Sequence, residues 1–96
     1  MKSLTEIKAA LAERKTFLFK KYPIQSLAIF GSFARNEQND HSDLDLVVEF
    51  NDKIGSDFIL LAEELESYIG FKVDLVSRKG IKDRYFQKIK SDLIYV

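Results

Sequence analysis

The stretch Asp43-Leu44-Asp45-Leu46-Val47-Val48-Glu49-Phe50 restricts this chain more than any other. It opens in strict polar–apolar alternation and then turns apolar on both faces. Alternation puts successive side chains on opposite faces of a strand, and a run that becomes apolar on both belongs in the middle of a sheet with cover on each side. The rest of the chain must therefore supply neighbouring strands and helices to lie over them.

The flanking segments read accordingly. Ser3-Leu4-Thr5-Glu6 has the form of a capping box, and Leu4, Ile7, Leu11 and Leu18 then recur at helical spacing. That helix should stop before Pro23, because Tyr22, the residue before a proline, avoids the α region. Ser26 to Phe30 reads as a short buried strand. Asn51 to Ser56 is a loop, after which Ser56 or Asp57 caps a second helix with a stripe of Phe58, Leu61, Leu65 and Tyr68. Gly70 sits where a helix-ending glycine belongs. Phe71 to Ser77 reads as a third strand, Ile81, Tyr85 and Ile89 have helical spacing, and Leu93 to Val96 closes the sheet. The expected fold is an α/β (α+β) domain spanning 1–96, with a central mixed sheet of about four strands flanked by helices. A helical crossover between two strands favours a parallel pair.

Bulk properties narrow the function. The 96 residues suffice for one domain. With 15 basic and 15 acidic residues the formal charge is zero, which argues against a large nucleic-acid footprint. No cysteine is present, so there is no disulfide framework or thiolate metal site, in keeping with a reducing cytoplasm. No apolar run approaches the roughly 20 residues of a membrane span. Charges interrupt the N-terminal stretch too often for a signal peptide.

The chemistry is concentrated between Ile29 and Asp74. Asp43 and Asp45 are two apart on a strand and leave the same face. Two adjacent carboxylates repel each other unless a cation sits between them, and Mg²⁺ takes hard oxygen ligands, commonly one or two carboxylates plus substrate phosphates. Asp74 interrupts an apolar strand, where a lone ionised carboxylate is costly to bury. If that strand lies beside the first, Asp74 joins the other two. Each feature alone has a plainer reading: a solvated strand end for the pair, and a partner of Lys72 or Arg78 for Asp74. Gly31 and Ser32 follow a strand directly. A glycine turn opening a short helix through Phe33, Ala34 and Arg35 exposes backbone N–H groups to an anion, and the Ser32 hydroxyl and Arg35 add a donor and a charge. By itself this is an ordinary turn, and Arg35 an ion-pair partner for Glu37 or Asp40. Ser42 supports the turn into Asp43. His41, between Asp40 and Ser42, reads as exposed. Tyr85, Phe86 and Tyr95 read as core or interface aromatics. Lys72, Arg78 and Lys79 flank the third strand and read as a solvated strand end.

Taken together, Gly31-Ser32, ten intervening residues, Asp43-x-Asp45 and a later Asp74 on a strand resemble the nucleotidyltransferase superfamily related to DNA polymerase β. The fuller stretch from Gly31 to Phe50 resembles its minimal nucleotidyltransferases, the MNT antitoxins that accompany HEPN-domain toxins. The likeness covers nearly the whole chain. One departure is Arg35-Asn36, where the group usually has Arg-Gly; asparagine tolerates a left-handed backbone better than most residues, so the turn is expected to survive. The resemblance implies that Gly31, Ser32, Arg35 and Ser42 face the nucleotide. It also implies that Asp43 and Asp45 hold two Mg²⁺ ions, and that Asp74 holds one of them and helps to deprotonate the acceptor. The implied reaction is transfer of AMP from ATP to a hydroxyl, a tyrosine of a partner HEPN toxin. A degenerate fold that neutralises its partner by binding alone is the alternative. A transferase acting on a small-molecule hydroxyl would need an acceptor pocket that a chain this short builds only as a dimer.

Overall fold

The computed structural model describes residues 2–96. Helix α1 (Leu4–Lys21) is followed by strand β1 (Ile24–Phe30), a single-turn helix α2 (Gly31–Ala34) and strand β2 (Leu44–Phe50). Helix α3 (Asp57–Ile69), strand β3 (Val73–Ser77), helix α4 (Asp83–Ile89), a 3₁₀ turn (Lys90–Asp92) and strand β4 (Ile94–Tyr95) complete it.

Local chemistry accounts for most of the boundaries. The Ser3 hydroxyl accepts from the Glu6 N–H at 3.2 Å, and Glu6 Oε1 accepts from the Ser3 N–H at 3.2 Å, so the capping box is closed. Tyr22 turns extended at φ −123°, ending α1 ahead of Pro23. Gly70 ends α3 at φ +93°. Ser56 stands at the start of α3 but makes no side-chain cap, leaving Asp57 as the acid in its first turn. β3 begins at Val73 rather than Phe71, and β2 at Leu44 rather than Asp43.

The strands lie in the order β3-β2-β1-β4. β1 runs antiparallel to β2 and to β4, while β2 and β3, joined through α3, run parallel, as a helical crossover favours. β2 is thus interior, as its two-faced apolar pattern requires. One sheet face, carrying Leu27, Ile29, Leu44, Leu46, Val48, Val73 and Leu75, packs against Ile7, Leu11 and Leu18 of α1 and Leu61, Leu65 and Ile69 of α3. Burying each such side chain stabilises the fold by about 1.5–3 kcal/mol. Ile69 is fully buried while Tyr68 is only half-buried, so the apolar stripe of α3 ends one residue later than the spacing suggests. The other face has thinner cover. Ala28, Phe30 and Val47 meet Ile89 of α4, with Ile81, Phe86 and Leu93 at the margin. α4 begins at Asp83, so Ile81 precedes it. Tyr85 and Tyr95 are 49% and 61% exposed and belong to neither core; only Phe86 of the three expected aromatics packs inward. Among the described residues no helix is long and apolar enough to cross a membrane.

Candidate active site

Sheet register brings the acidic residues together. β2 and β3 pair with Asp45 opposite Asp74, and β1 pairs with β2 so that Phe30, the residue before Gly31, lies opposite Asp45. Alternation then sets Asp45 and Asp74 on the thinly covered face, side by side on neighbouring strands. Asp43 stands just ahead of β2, where the Leu44 N–H donates to the Lys72 carbonyl at 3.0 Å and ties the starts of β2 and β3 to each other. The Lys72 ammonium lies 3.8 Å from Asp43 Oδ2. Lys72 is largely exposed, so this contact is a weak surface pair, readily exchanged for another cation.

Asp45 carries the electrostatic signature. Its carboxyl is pushed up from 3.8 to about 6 by burial first, then by the charges of Asp74 and Asp43, with Arg35 opposing. Removing a carboxylate from water and placing two others beside it both penalise its charge. Among the described residues no three His, Cys, Asp or Glu side chains are placed to hold a metal ion as they stand. The donor set nevertheless suits a hard cation. It consists of carboxylate oxygens with no sulfur, and burial together with the neighbouring carboxylates leaves Asp45 holding its proton more tightly than an ordinary aspartate. An Mg²⁺ ion would take one or two of these carboxylates and complete its octahedron with phosphate oxygens and water.

The turn after β1 abuts this cluster. Gly31 has φ +74°, and a β-carbon at that position would come within 3.0 Å of Asp45 Cγ. Only glycine allows both the left-handed backbone and the close approach. α2 then leaves the N–H groups of its first residues without intrahelical acceptors. Its far end is closed by two bonds, Asn36 N–H to the Phe33 carbonyl at 3.2 Å and Glu37 N–H to the Ser32 carbonyl at 2.8 Å. That is the Schellman pattern, and Asn36 occupies its left-handed position at φ +57°. Asparagine therefore serves where the resemblance has glycine. Asn36→Ala is expected to destabilise the protein by about 1 kcal/mol, read as a lower denaturant midpoint, whereas Asn36→Gly should leave it unchanged or slightly higher.

The remaining candidates divide. The Ser32 side chain is half-buried beside the turn. Ser42 is engaged locally: its Oγ accepts the Asn39 N–H at 3.0 Å, and its own N–H donates to the Asn39 carbonyl at 3.1 Å. Arg35 is held by Glu37 at 2.9 Å and lies 3.6 Å from Asp92, so its guanidinium stands at the edge of the site, near enough for its charge to oppose the upward shift of Asp45. His41 is exposed, and its N–H donates to Asn39 Oδ1 at 2.8 Å. Asn39 therefore organises the loop leading to Asp43. Its place before an Asp-His-Ser turn was the available signal. Phe33, inside the turn, has a packing role that the phosphate-binding reading of that turn does not reveal: 1% exposed and stacked on Phe71 at 5.6 Å, it pins the turn to the core. A cavity of 480 Å³ beside Asp43 is lined by Phe33, Asn39, His41, Phe71 and Lys72. Another, of 530 Å³, opens at the opposite end of β2 and β3 around Phe50, Ile54 and Phe58, and none of Asp43, Asp45 and Asp74 lines it.

Residues 13–95 match the polymerase beta nucleotidyltransferase family. A Methanocaldococcus jannaschii protein provisionally named a protein adenylyltransferase is 46% identical over 100 residues, covering 100% of both chains. A solved structure described as a minimal nucleotidyltransferase superposes with a TM-score of 0.76 at 31% identity, covering 92% of this chain and 93% of that one. A chain from the complex of tri-AMPylated Shewanella oneidensis HEPN toxin with its MNT antitoxin superposes with a TM-score of 0.69 at 21% identity, covering 93% of this chain and 70% of that one, a likeness of fold.

Proposed function

Since the chain belongs to the polymerase beta nucleotidyltransferase family, we propose that it transfers AMP from ATP to a tyrosine hydroxyl of a HEPN-domain toxin and so acts as the antitoxin, in the cytoplasm. The observation that carries this reading is the register that sets Asp45 against Asp74 with Gly31 packed on Asp45.

The residues divide the work. The N–H groups after Gly31, together with the Ser32 hydroxyl, bind the β- and γ-phosphates. Ser42 holds the loop that delivers Asp43, from where it also faces the nucleotide, and Arg35 faces it from the turn's far end. Asp43 and Asp45 would hold two Mg²⁺ ions, with Asp74 as a further ligand to one of them. Bound there, they would supply positive charge against that developing on the attacking and leaving oxygens of an in-line displacement. The acceptor oxygen bonds to the α-phosphorus as the bond to pyrophosphate breaks. The hydroxyl proton passes to Asp74, which is exposed and can reach an incoming partner. No covalent adduct with the protein is required, so alignment and charge neutralisation dominate.

Incubation with labelled ATP, Mg²⁺ and the protein encoded by the adjacent gene should place label on that protein and release pyrophosphate. Chelation should stop both. If no label transfers, while Asp43→Asn and Asp45→Asn still suppress toxicity in full, the protein neutralises by binding alone and the enzymatic reading fails.

A further inference from the structure

The formal charge of zero conceals a strong local imbalance. From Arg78 to Lys90 six residues are basic (Arg78, Lys79, Lys82, Arg84, Lys88 and Lys90) and only Asp83 is acidic. Arg78 is occupied, 3.1 Å from Asp83 and stacked 3.8 Å above the Phe86 ring. The other five are exposed, and among the described residues none has an ion-pair partner.

These charges are arranged on a helix with two faces. Phe86 and Ile89 point inward to Ala28, Phe30 and Val47. Lys82, Arg84, Tyr85 and Lys88 line one surface cavity of 400 Å³, with Tyr85, 49% exposed, three residues from both Lys82 and Lys88 and Arg84 four from Lys88. α4 covers the same sheet face that carries Asp45 and Asp74. Exposed like charges that close together repel and cost stability, and nothing in the fold offsets them.

We infer that the outer face of α4 is a docking surface for an acidic segment of the protein whose hydroxyl receives the nucleotide. Carboxylates of that segment pair with Lys82, Arg84 and Lys88, and an apolar side chain lies on Tyr85. A polypeptide fits better than a nucleic acid strand. There is one exposed aromatic here, where strand binders stack successive bases on several. The inference rests on the nucleotide-transfer reading for what the docked partner receives. Docking is measured without nucleotide, so either can fail alone.

The test uses the full chain and a labelled peptide of alternating Glu and Ala with a central Phe. The comparison probes are the same peptide with Gln for Glu and a single-stranded oligonucleotide of equal charge. The acidic peptide should bind, weaken steadily as salt rises from about 50 to about 500 mM, and lose about tenfold or more in affinity in the K82E/R84E/K88E variant. The Gln peptide should not bind. Melting temperature should stay at or above the parent's, since repulsion among the cations is relieved, and its shift on adding ATP and Mg²⁺ should match the parent, because these side chains are exposed and outside the carboxylate site. In the labelling reaction the variant should raise KM for the protein acceptor and leave the ATP dependence unchanged. Equal binding of the Glu and Gln peptides, or equal binding by parent and variant, overturns the proposal. So does tighter binding of the oligonucleotide. Low-salt self-association of the parent that the variant abolishes would assign the surface to a second copy, through acids such as Asp52, Asp57 and Glu63, and would overturn it too.

Discussion

Asp45→Asn is expected to act in two opposite directions: it should abolish nucleotide transfer and raise the melting temperature of the metal-free protein at neutral pH. The loss of activity should reach about 10³-fold or more, the scale of removing several kcal/mol of charge stabilisation from the transition state. The gain in stability follows from the carboxyl's proton affinity, which lies near 6 in the folded chain against 3.8 ordinarily. A carboxyl raised in this way binds its proton better folded than unfolded. Its favourable contribution is therefore complete below about pH 4, is lost as pH rises to about 6, and is absent above that. The amide cannot ionise and keeps the contribution throughout. Melting curves of parent and variant should accordingly separate at pH 7, with the variant higher, and converge towards pH 4. Added Mg²⁺ should raise the parent and not the variant. A variant that melts lower than the parent at pH 7 would show that Asp45 is not held under electrostatic stress, and the site would lose its main support.

The second large effect is expected from Gly31→Ala. At φ +74° a β-carbon costs about 1–2 kcal/mol from backbone strain alone. In a domain of this size that lowers the melting temperature by about 5–15 °C. The added methyl also runs into the Asp45 side chain, whose Cβ lies 3.2 Å from the new carbon's position. One of the two must move. Displacement by even an ångström at a positioning group costs about 100-fold in rate, so transfer should fall by at least that much in preparations that remain folded. Circular dichroism separates the two consequences. A folded variant with full activity would mean that the turn and Asp45 do not act together.

Much of this was legible before any coordinates. The Ser3–Glu6 box, the stop before Pro23 and the Gly70 terminus are short-range chemistry, written within four or five residues of where they act. The two-faced apolar run of β2 demanded a central strand, and the α3 crossover favoured its parallel pairing with β3. The spacing of Gly31, Asp43, Asp45 and Asp74 marked the candidate site. Other features were not visible from within single elements. Tyr85 has the spacing of a core residue, yet it faces solvent because α4 is a short helix with only Phe86 and Ile89 against the sheet. Arg35 is drawn to Asp92, a residue far along the chain that only the folded C-terminal turn brings near. A net charge of zero said nothing about the concentration of cations on one helix face.

Period and capping depend on nearest neighbours in the chain, so the sequence alone determined the order of the elements, the buried faces of α1 and β2, and the presence of three acids at strand starts. It also marked Asn36 as able to take the left-handed turn. The tertiary structure decided which acid bears the stress. The pairing of β2 with both β1 and β3 places Asp45 between Gly31 and Asp74, and burial there, reinforced by the neighbouring charges, raises its proton affinity. Both conditions arise from contacts between strands distant in sequence, and a one-residue shift in register would send the carboxylate to the opposite face.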